Sequence, residues 1–253
     1  MTPVFENPQA LAYSMACIYF GGCVKGLTGF GLSMISVPLL VLIAPPSAVV
    51  PVFLLLNTVM NVMLVYGLRN AITGRIWPLV ISGIAGVPVG TYILVVVDGN
   101  VLRLIIGLVI LVFAVALLTG YRRQIGMERL GFGLVGAVSG VLGGSISISG
   151  PPVVLFLSNL AVDKSTFRAN LVAYFLCLNL FSIPVYYAGG LLTGPVFRTF
   201  LWLVPALILG CMTGTVVARK VSEQVFRQIA LIIVIVAATL AIISSIRSFP
   251  NIS

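Results

Sequence analysis

The residues with chemistry to offer are a lysine and two glycine–serine motifs. Lys25 immediately precedes Gly26-Leu27-Thr28-Gly29-Phe30-Gly31-Leu32-Ser33, with Pro38 downstream. A second stretch reads Gly140-Val141-Leu142-Gly143-Gly144-Ser145-Ile146-Ser147, with Pro152 downstream. A shift of 114 residues superposes Gly26 on Gly140, Gly29 on Gly143, Ser33 on Ser147 and Pro38 on Pro152. Each motif interrupts a long apolar run, where glycine disfavours a continuing helix by about 1 kcal/mol. A helix that restarts after such a break points its unpaired N–H groups and partial positive charge at the break. The chemistry on offer is anion binding, by backbone amides, by the hydroxyls of Thr28, Ser33, Ser145, Ser147 and Ser149, and by an ammonium group.

Lys25 sharpens the sign, because an ionisable group inside an apolar stretch is expensive and points to function. Its repeat counterpart is Ser139. Asn57, Asn61, Asn170 and Asn179 supply amides on following segments, with Asn57 and Asn179 as prospective repeat partners; each also suits an ordinary interhelical hydrogen bond. The candidate substrate-binding set is Lys25, Thr28, Gly29, Phe30, Gly31, Ser33, Asn57, Gly143, Gly144, Ser145, Ser147, Ser149 and Asn179. The competing reading of the glycines is tight helix packing alone.

Other chemistries find little support. The chain has no histidine, so imidazole metal sites and the commonest proton shuttle are missing. The acids, Glu6, Asp98, Glu128, Asp163 and Glu223, fall near segment ends or loops. Cys17, Cys23, Cys177 and Cys211 lie in apolar runs without metal-type spacing and read as small buried hydrophobes. No metal, cofactor or catalytic residue is expected, and the chain does not read as an enzyme.

The elements that must position these groups follow from composition. Hydrophobic residues make up 60% and charged residues 8%, and mean hydropathy is +1.21; a soluble domain carries about 25% charged residues. Apolar runs long enough to cross a bilayer recur throughout, so the chain is an all-α polytopic membrane protein. The net charge of +9 comes from basic residues placed singly or in pairs between apolar runs. That is the positive-inside pattern and excludes a nucleic-acid partner. Met1–Gln9 has no basic region of the kind that starts a cleavable signal; Asn7-Pro8 reads as a helix cap.

The first repeat is predicted over 1–124, with an interrupted segment at about 9–44 and helices at about 48–67, 76–97 and 101–120. The second covers 125–253, with an interrupted segment at about 131–161 and helices at about 166–188, 198–218 and 225–247. Gly86-Val87-Pro88-Val89-Gly90-Thr91 aligns with Gly210-Cys211-Met212-Thr213-Gly214-Thr215 at a shift of 124. Residues 9–44 would form a helix of about 54 Å. Folded at the glycines, they give two arms of about 22–25 Å, a re-entrant hairpin whose tip lies near mid-membrane. Three crossings per half then make the repeats inverted. This threading gathers Arg69, Arg75, Arg122, Arg123, Arg129, Lys164, Arg168, Arg219, Lys220 and Arg227 on one side. It leaves Arg103, Arg198 and Arg247 on the other, which places both termini outside.

The paired motif with its downstream proline, in two halves, resembles the TauE/SafE family of membrane permeases over essentially the whole chain. The resemblance implies a transporter for a small anion in the bacterial inner membrane, with export of sulfite or an organosulfonate as the leading expectation. A site at the midplane between the two glycine tips is the corresponding expectation from the residues. An importer of a sulfur-containing anion such as thiosulfate, using Cys23 or Cys177, stays open. So do a non-transporting structural subunit and a homo-oligomeric assembly. The expected partners are the lipid bilayer and the anionic substrate.

Overall fold

The computed structural model describes residues 7–118, 128–158 and 163–217, with residues 235 and 239. Every element among the described residues is helical. The α-helices are α1 (Pro8–Thr28), α2 (Leu32–Leu40), α3 (Pro46–Leu68), α4 (Trp77–Val96), α5 (Gly99–Leu118), α6 (Glu128–Ile146), α7 (Gly150–Leu157), α8 (Lys164–Ala188) and α9 (Gly194–Val217). The helix expected at 225–247 lies outside the described residues, apart from positions 235 and 239, as do Arg122, Arg123, Arg219, Lys220, Arg227 and Arg247.

The boundaries follow local chemistry. Asn7 caps α1 by accepting from the Gln9 amide at 3.0 Å, and Pro8 supplies the first turn. Asp163 caps α8, accepting from the amides of Ser165 and Thr166 at 3.0 and 3.1 Å. Its hydrogen bonds to Thr166 and Ser165 hold its carboxyl below the usual range. α1 ends where Gly29 takes φ 86 and Gly31 takes φ 102, left-handed values that a side chain disfavours. The Gly29 amide bonds back to Lys25 O at 2.7 Å. α6 ends on Ser147 at φ 58, with Ser147 N–H donating to Gly143 O and Ile148 N–H to Leu142 O. These nested bonds reach one residue further back than the pair of a Schellman cap, and the left-handed position is a serine where glycine is usual.

Each break folds the chain into an antiparallel helical hairpin. The Ser36 hydroxyl donates to Cys17 O at 2.7 Å and the Tyr13 hydroxyl to Leu39 O at 3.3 Å, so α2 returns along α1. The Ser139 hydroxyl donates to Ser149 O at 2.6 Å, and Phe132 meets Phe156 edge-on with ring centroids 4.8 Å apart, so α7 returns along α6. The arms differ from the expected 22–25 Å. α1 has 21 residues and α2 has 9, about 31 and 13 Å. The break falls at the left-handed glycines near the end of the long arm, and the turn before Pro45-Pro46 stops the short one. Pro38 lies well inside α2, whereas Pro152 is in the first turn of α7.

The long arm of each hairpin packs against the second helix after the hairpin of the opposite half: α1 on α9, and α6 on α4. Both contacts are backbone-close because glycines face each other, the close approach small residues permit in lipid. A Cβ on Gly22 would meet Leu207 O and Cys211 N, and one on Gly26 would meet Cys211 O at 2.6 Å. The other half reproduces these pairs: Gly136 faces Leu79 O and Gly83 N, and Gly140 faces Gly83 O. Gly86 faces Ala137 O as Gly214 faces Cys23 O. With the hairpin arms related by 114, these contacts relate α4 to α9 by 128 residues. The alignment at 124 is therefore one helical turn short.

α3 and α8 pack on each other, and α8 also lies along α4. Gly83 is beside Tyr174, and Gly189 is beside Thr91, so α4 and α8 run in the same direction. Asn170 ties the start of α8 to the α3–α4 connection, accepting from the Thr73 amide at 3.0 Å. Pro8–Thr28, Pro46–Ala71, Gly74–Val96, Ser165–Ala188 and Gly194–Val216 are long and apolar enough to cross a membrane. α1 is thus long enough to cross although it was expected as half of a re-entrant pair. α5 presents the shorter apolar stretch Gly99–Phe113. Large apolar side chains such as Ile81, Leu134, Leu201 and Leu209 point outward, as lipid-facing surfaces require. Together these features make the chain a multi-pass membrane protein.

Candidate functional site

The two hairpin tips meet each other and the middles of α3 and α8. A Cβ on Gly150 would touch Phe30 Cβ at 3.9 Å and Phe175 Cζ at 3.7 Å. Between them lies a cavity enclosing about 490 Å³ including its mouth. The first tip contributes Lys25, Phe30, Gly31, Leu32, Ser33 and Met34; the second contributes Gly143, Ser147, Ile148, Ser149 and Gly150. Leu54, Asn57 and Asn61 line it from α3, and Phe175 and Asn179 from α8.

Lys25 is 2% exposed. Its Nζ donates to Asn57 Oδ1 at 2.6 Å, and among the described residues no carboxylate pairs with it. Lysine only donates, so the Asn57 atom facing it must be the carbonyl oxygen. The Asn57 amide nitrogen then donates to Ser33 Oγ and to Phe53 O, both at 2.9 Å. Ser33 accepts from Asn57, which leaves its own O–H to donate into the cavity. Lys25 has two further N–H groups beyond the one given to Asn57. Taking such a group out of water costs several kcal/mol, and a neutral amide repays little of that. An arriving anion would.

The first turn of α2 adds backbone donors. Gly31 precedes it without a side-chain cap, and the Ile35 amide is the first to find a carbonyl, Gly31 O at 3.2 Å. The second tip is poorer than the repeat suggests. Pro151 and Pro152 occupy the first turn of α7 and have no N–H to offer. Ser139, the counterpart of Lys25, spends its hydroxyl on Ser149 O. The donors therefore concentrate on one wall.

Of the expected set, Lys25, Phe30, Gly31, Ser33, Asn57, Gly143, Ser147, Ser149 and Asn179 line this one cavity. Thr28, Gly29, Gly144 and Ser145 do not. The Thr28 hydroxyl holds the turn, bonding Val24 O at 2.9 Å and Phe30 O at 2.7 Å. Gly29 faces Arg168 and Val172, and Gly144 packs against Val87 O and Thr91 N on α4. The Ser145 hydroxyl donates to Val141 O at 2.7 Å.

Asn61, Phe175 and Ile148 join the lining without having been in that set. Asn61 was legible as the residue one turn beyond Asn57 on the same helix face. Arg168, counted among the basic residues of one membrane side, lies in the first turns of α8 and donates to Gly26 O at 3.2 Å, a basic group on the last carbonyls of α1. Arg103 does the same for α2, its Nε donating to Val41 O at 2.8 Å. Cys23 Sγ is 3.0 Å from Thr213 Oγ1, and neither it nor Cys177 lines the cavity.

A family model described as sulfite exporter TauE/SafE matches residues 14–240. No curated protein and no solved structure matches the chain.

Proposed function

The chain belongs to the sulfite exporter TauE/SafE family, a family of membrane transporters for sulfite-type anions, and we propose that it exports a small oxyanion or sulfonate through the cavity between its two hairpin tips. The observation that carries this reading is Lys25, buried at the cavity with a neutral amide as its hydrogen-bond partner. The O–H of Ser33 and the first-turn amides of α2 reinforce it, since a helix N-terminus favours anions.

In this reading the hairpins are re-entrant and the halves inverted. Asn57 lies midway along α3 and Asn179 near the middle of α8, so tips touching these residues lie near the midplane. α3 leads through a short connection into α4, and α4 runs alongside α8 in the same direction. α3 and α8 are then opposed, the relation expected of inverted repeats that exchange partners as α1–α9 and α6–α4 do. Rocking of one hairpin-and-partner unit against the other would open the cavity to each face in turn. Both chain ends lie outside the cell, and the membrane is the bacterial inner membrane.

A negative interior drives an anion outward by about 2.3 kcal/mol per charge per 100 mV, so export needs no coupled proton. The thiol-based import reading has less support, because Cys23 and Cys177 lie off the cavity.

The test is sulfite flux in vesicles reconstituted with the purified chain. We expect flux that follows an imposed potential and falls at least about tenfold in Lys25→Met, the loss of roughly 1.4 kcal/mol of anion binding. Flux equal in the two proteins would remove Lys25 from the site.

A further inference from the structure

Asn61 is the least satisfied polar group among the described residues. It is 0% exposed, it lines the cavity, and both its Nδ2 and its Oδ1 lack a hydrogen-bond partner. Buried polar groups are normally paired, and each exception needs a reason. Interchanging the amide nitrogen and oxygen does not help, since both atoms are unpartnered. Asn179 Nδ2, across the cavity on α8, is unpartnered as well.

A fully deprotonated oxyanion offers only acceptors. It can satisfy the N–H groups of Lys25, Asn61 and Asn179, but not Asn61 Oδ1, which needs a donor. The donor-rich wall also stands apart from Asn61, which lies one turn beyond Asn57 along α3, about 6 Å. On the reading that this cavity is the transport site, we infer that its ligand is a sulfonate-type monoanion carrying a hydroxyl on a short arm. The anionic head sits against Lys25, Ser33 and the α2 amides. The arm reaches Asn61, where a hydroxyl donates to Oδ1 and accepts from Nδ2.

The experiment measures competition for transport by the full chain in vesicles, with labelled 2-hydroxyethanesulfonate as the carried anion. The competitors are unlabelled 2-hydroxyethanesulfonate, 1-propanesulfonate, in which a methyl replaces the hydroxyl, and sulfite, which has no arm. We expect the hydroxyl compound to compete at least about tenfold better than the other two, because the analogues leave Asn61 Oδ1 buried and unpaired. Asn61→Leu is expected to bring the hydroxyl and methyl compounds level. Equal competition by all three in the unaltered protein would overturn the inference while leaving anion transport intact, with water as the partner of Asn61. A preference that survives Asn61→Leu would also overturn it. If no sulfonate is carried but sulfite flux depends on Lys25, the inference fails alone; if nothing is carried, the proposed function fails with it. Should Asn61→Leu not fold, the comparison in the unaltered protein decides.

Discussion

At the residue scale, the site depends on a relay in which each group has one job. Lys25 gives one N–H to Asn57, Asn57 gives its amide to Ser33, and Ser33 keeps its O–H for the cavity. Asn57→Leu would remove the acceptor of a buried ammonium group and the donor to Ser33 together. It is expected to lower anion flux at least about tenfold, read in the vesicle assay, and to lower the melting temperature in detergent. Ser147 is a different case. It holds φ 58, where a side chain costs roughly 1–2 kcal/mol. Ser147→Gly should raise thermal stability by up to about 1 kcal/mol, and Ser147→Val should lower it. A Ser147→Gly protein less stable than the parent would mean that the hydroxyl matters more to the fold than the backbone strain does.

At the element scale, the molecule is held by two glycine-lined contacts, α1 on α9 and α6 on α4. Gly140 sits directly on Gly83 O, a backbone atom that no rotamer change can move aside. Gly140→Ala is therefore expected to destabilise by about 1–3 kcal/mol through overpacking, despite alanine's better helix propensity. Gly133 is in the same helix with nothing near the place of its Cβ. Gly133→Ala should stabilise by up to about 1 kcal/mol. Thermal unfolding of the pair in one detergent checks both signs. If Gly133→Ala were as damaging as Gly140→Ala, helix contact would not be what these glycines serve. The first break was readable from residue types, because the left-handed positions at Gly29 and Gly31 favour glycine; the second falls at Ser147, just beyond Gly143 and Gly144, which stay inside α6. The unequal arms were not readable, since the lengths depend on where the left-handed residues and the turn before Pro45 fall in three dimensions.

At the scale of the whole molecule, the threading makes a prediction independent of the site. On the proposed threading, ten basic residues against three argue for both ends outside. Single cysteines introduced at positions 2 and 252, in a background with the native thiols replaced, should react with an impermeant reagent in intact cells. Labelling only after the cells are opened would reverse the orientation. Export on potential alone also has a ceiling. For a monoanion, about 100 mV supports a gradient of up to about fifty-fold, and a steeper steady state in vesicles would require a coupled ion.

The amino-acid sequence by itself determined what each residue's own chemistry dictates: membrane class from hydropathy, a helix break at each glycine–serine motif, and a lysine set inside an apolar run at Lys25. It also brought most of the lining together on paper, because the motif duplicates and the tips are local structures. Tertiary structure alone decided which atoms face which. Small residues spaced four apart look the same after a shift of one helical turn, so α4 and α9 align at 124 by residue type but pack at 128. For the same reason Asn57 and Asn61 are equivalent as letters. One ends bonded to Lys25 and Ser33, the other unpaired in the cavity, because helix register sets the distance to a partner.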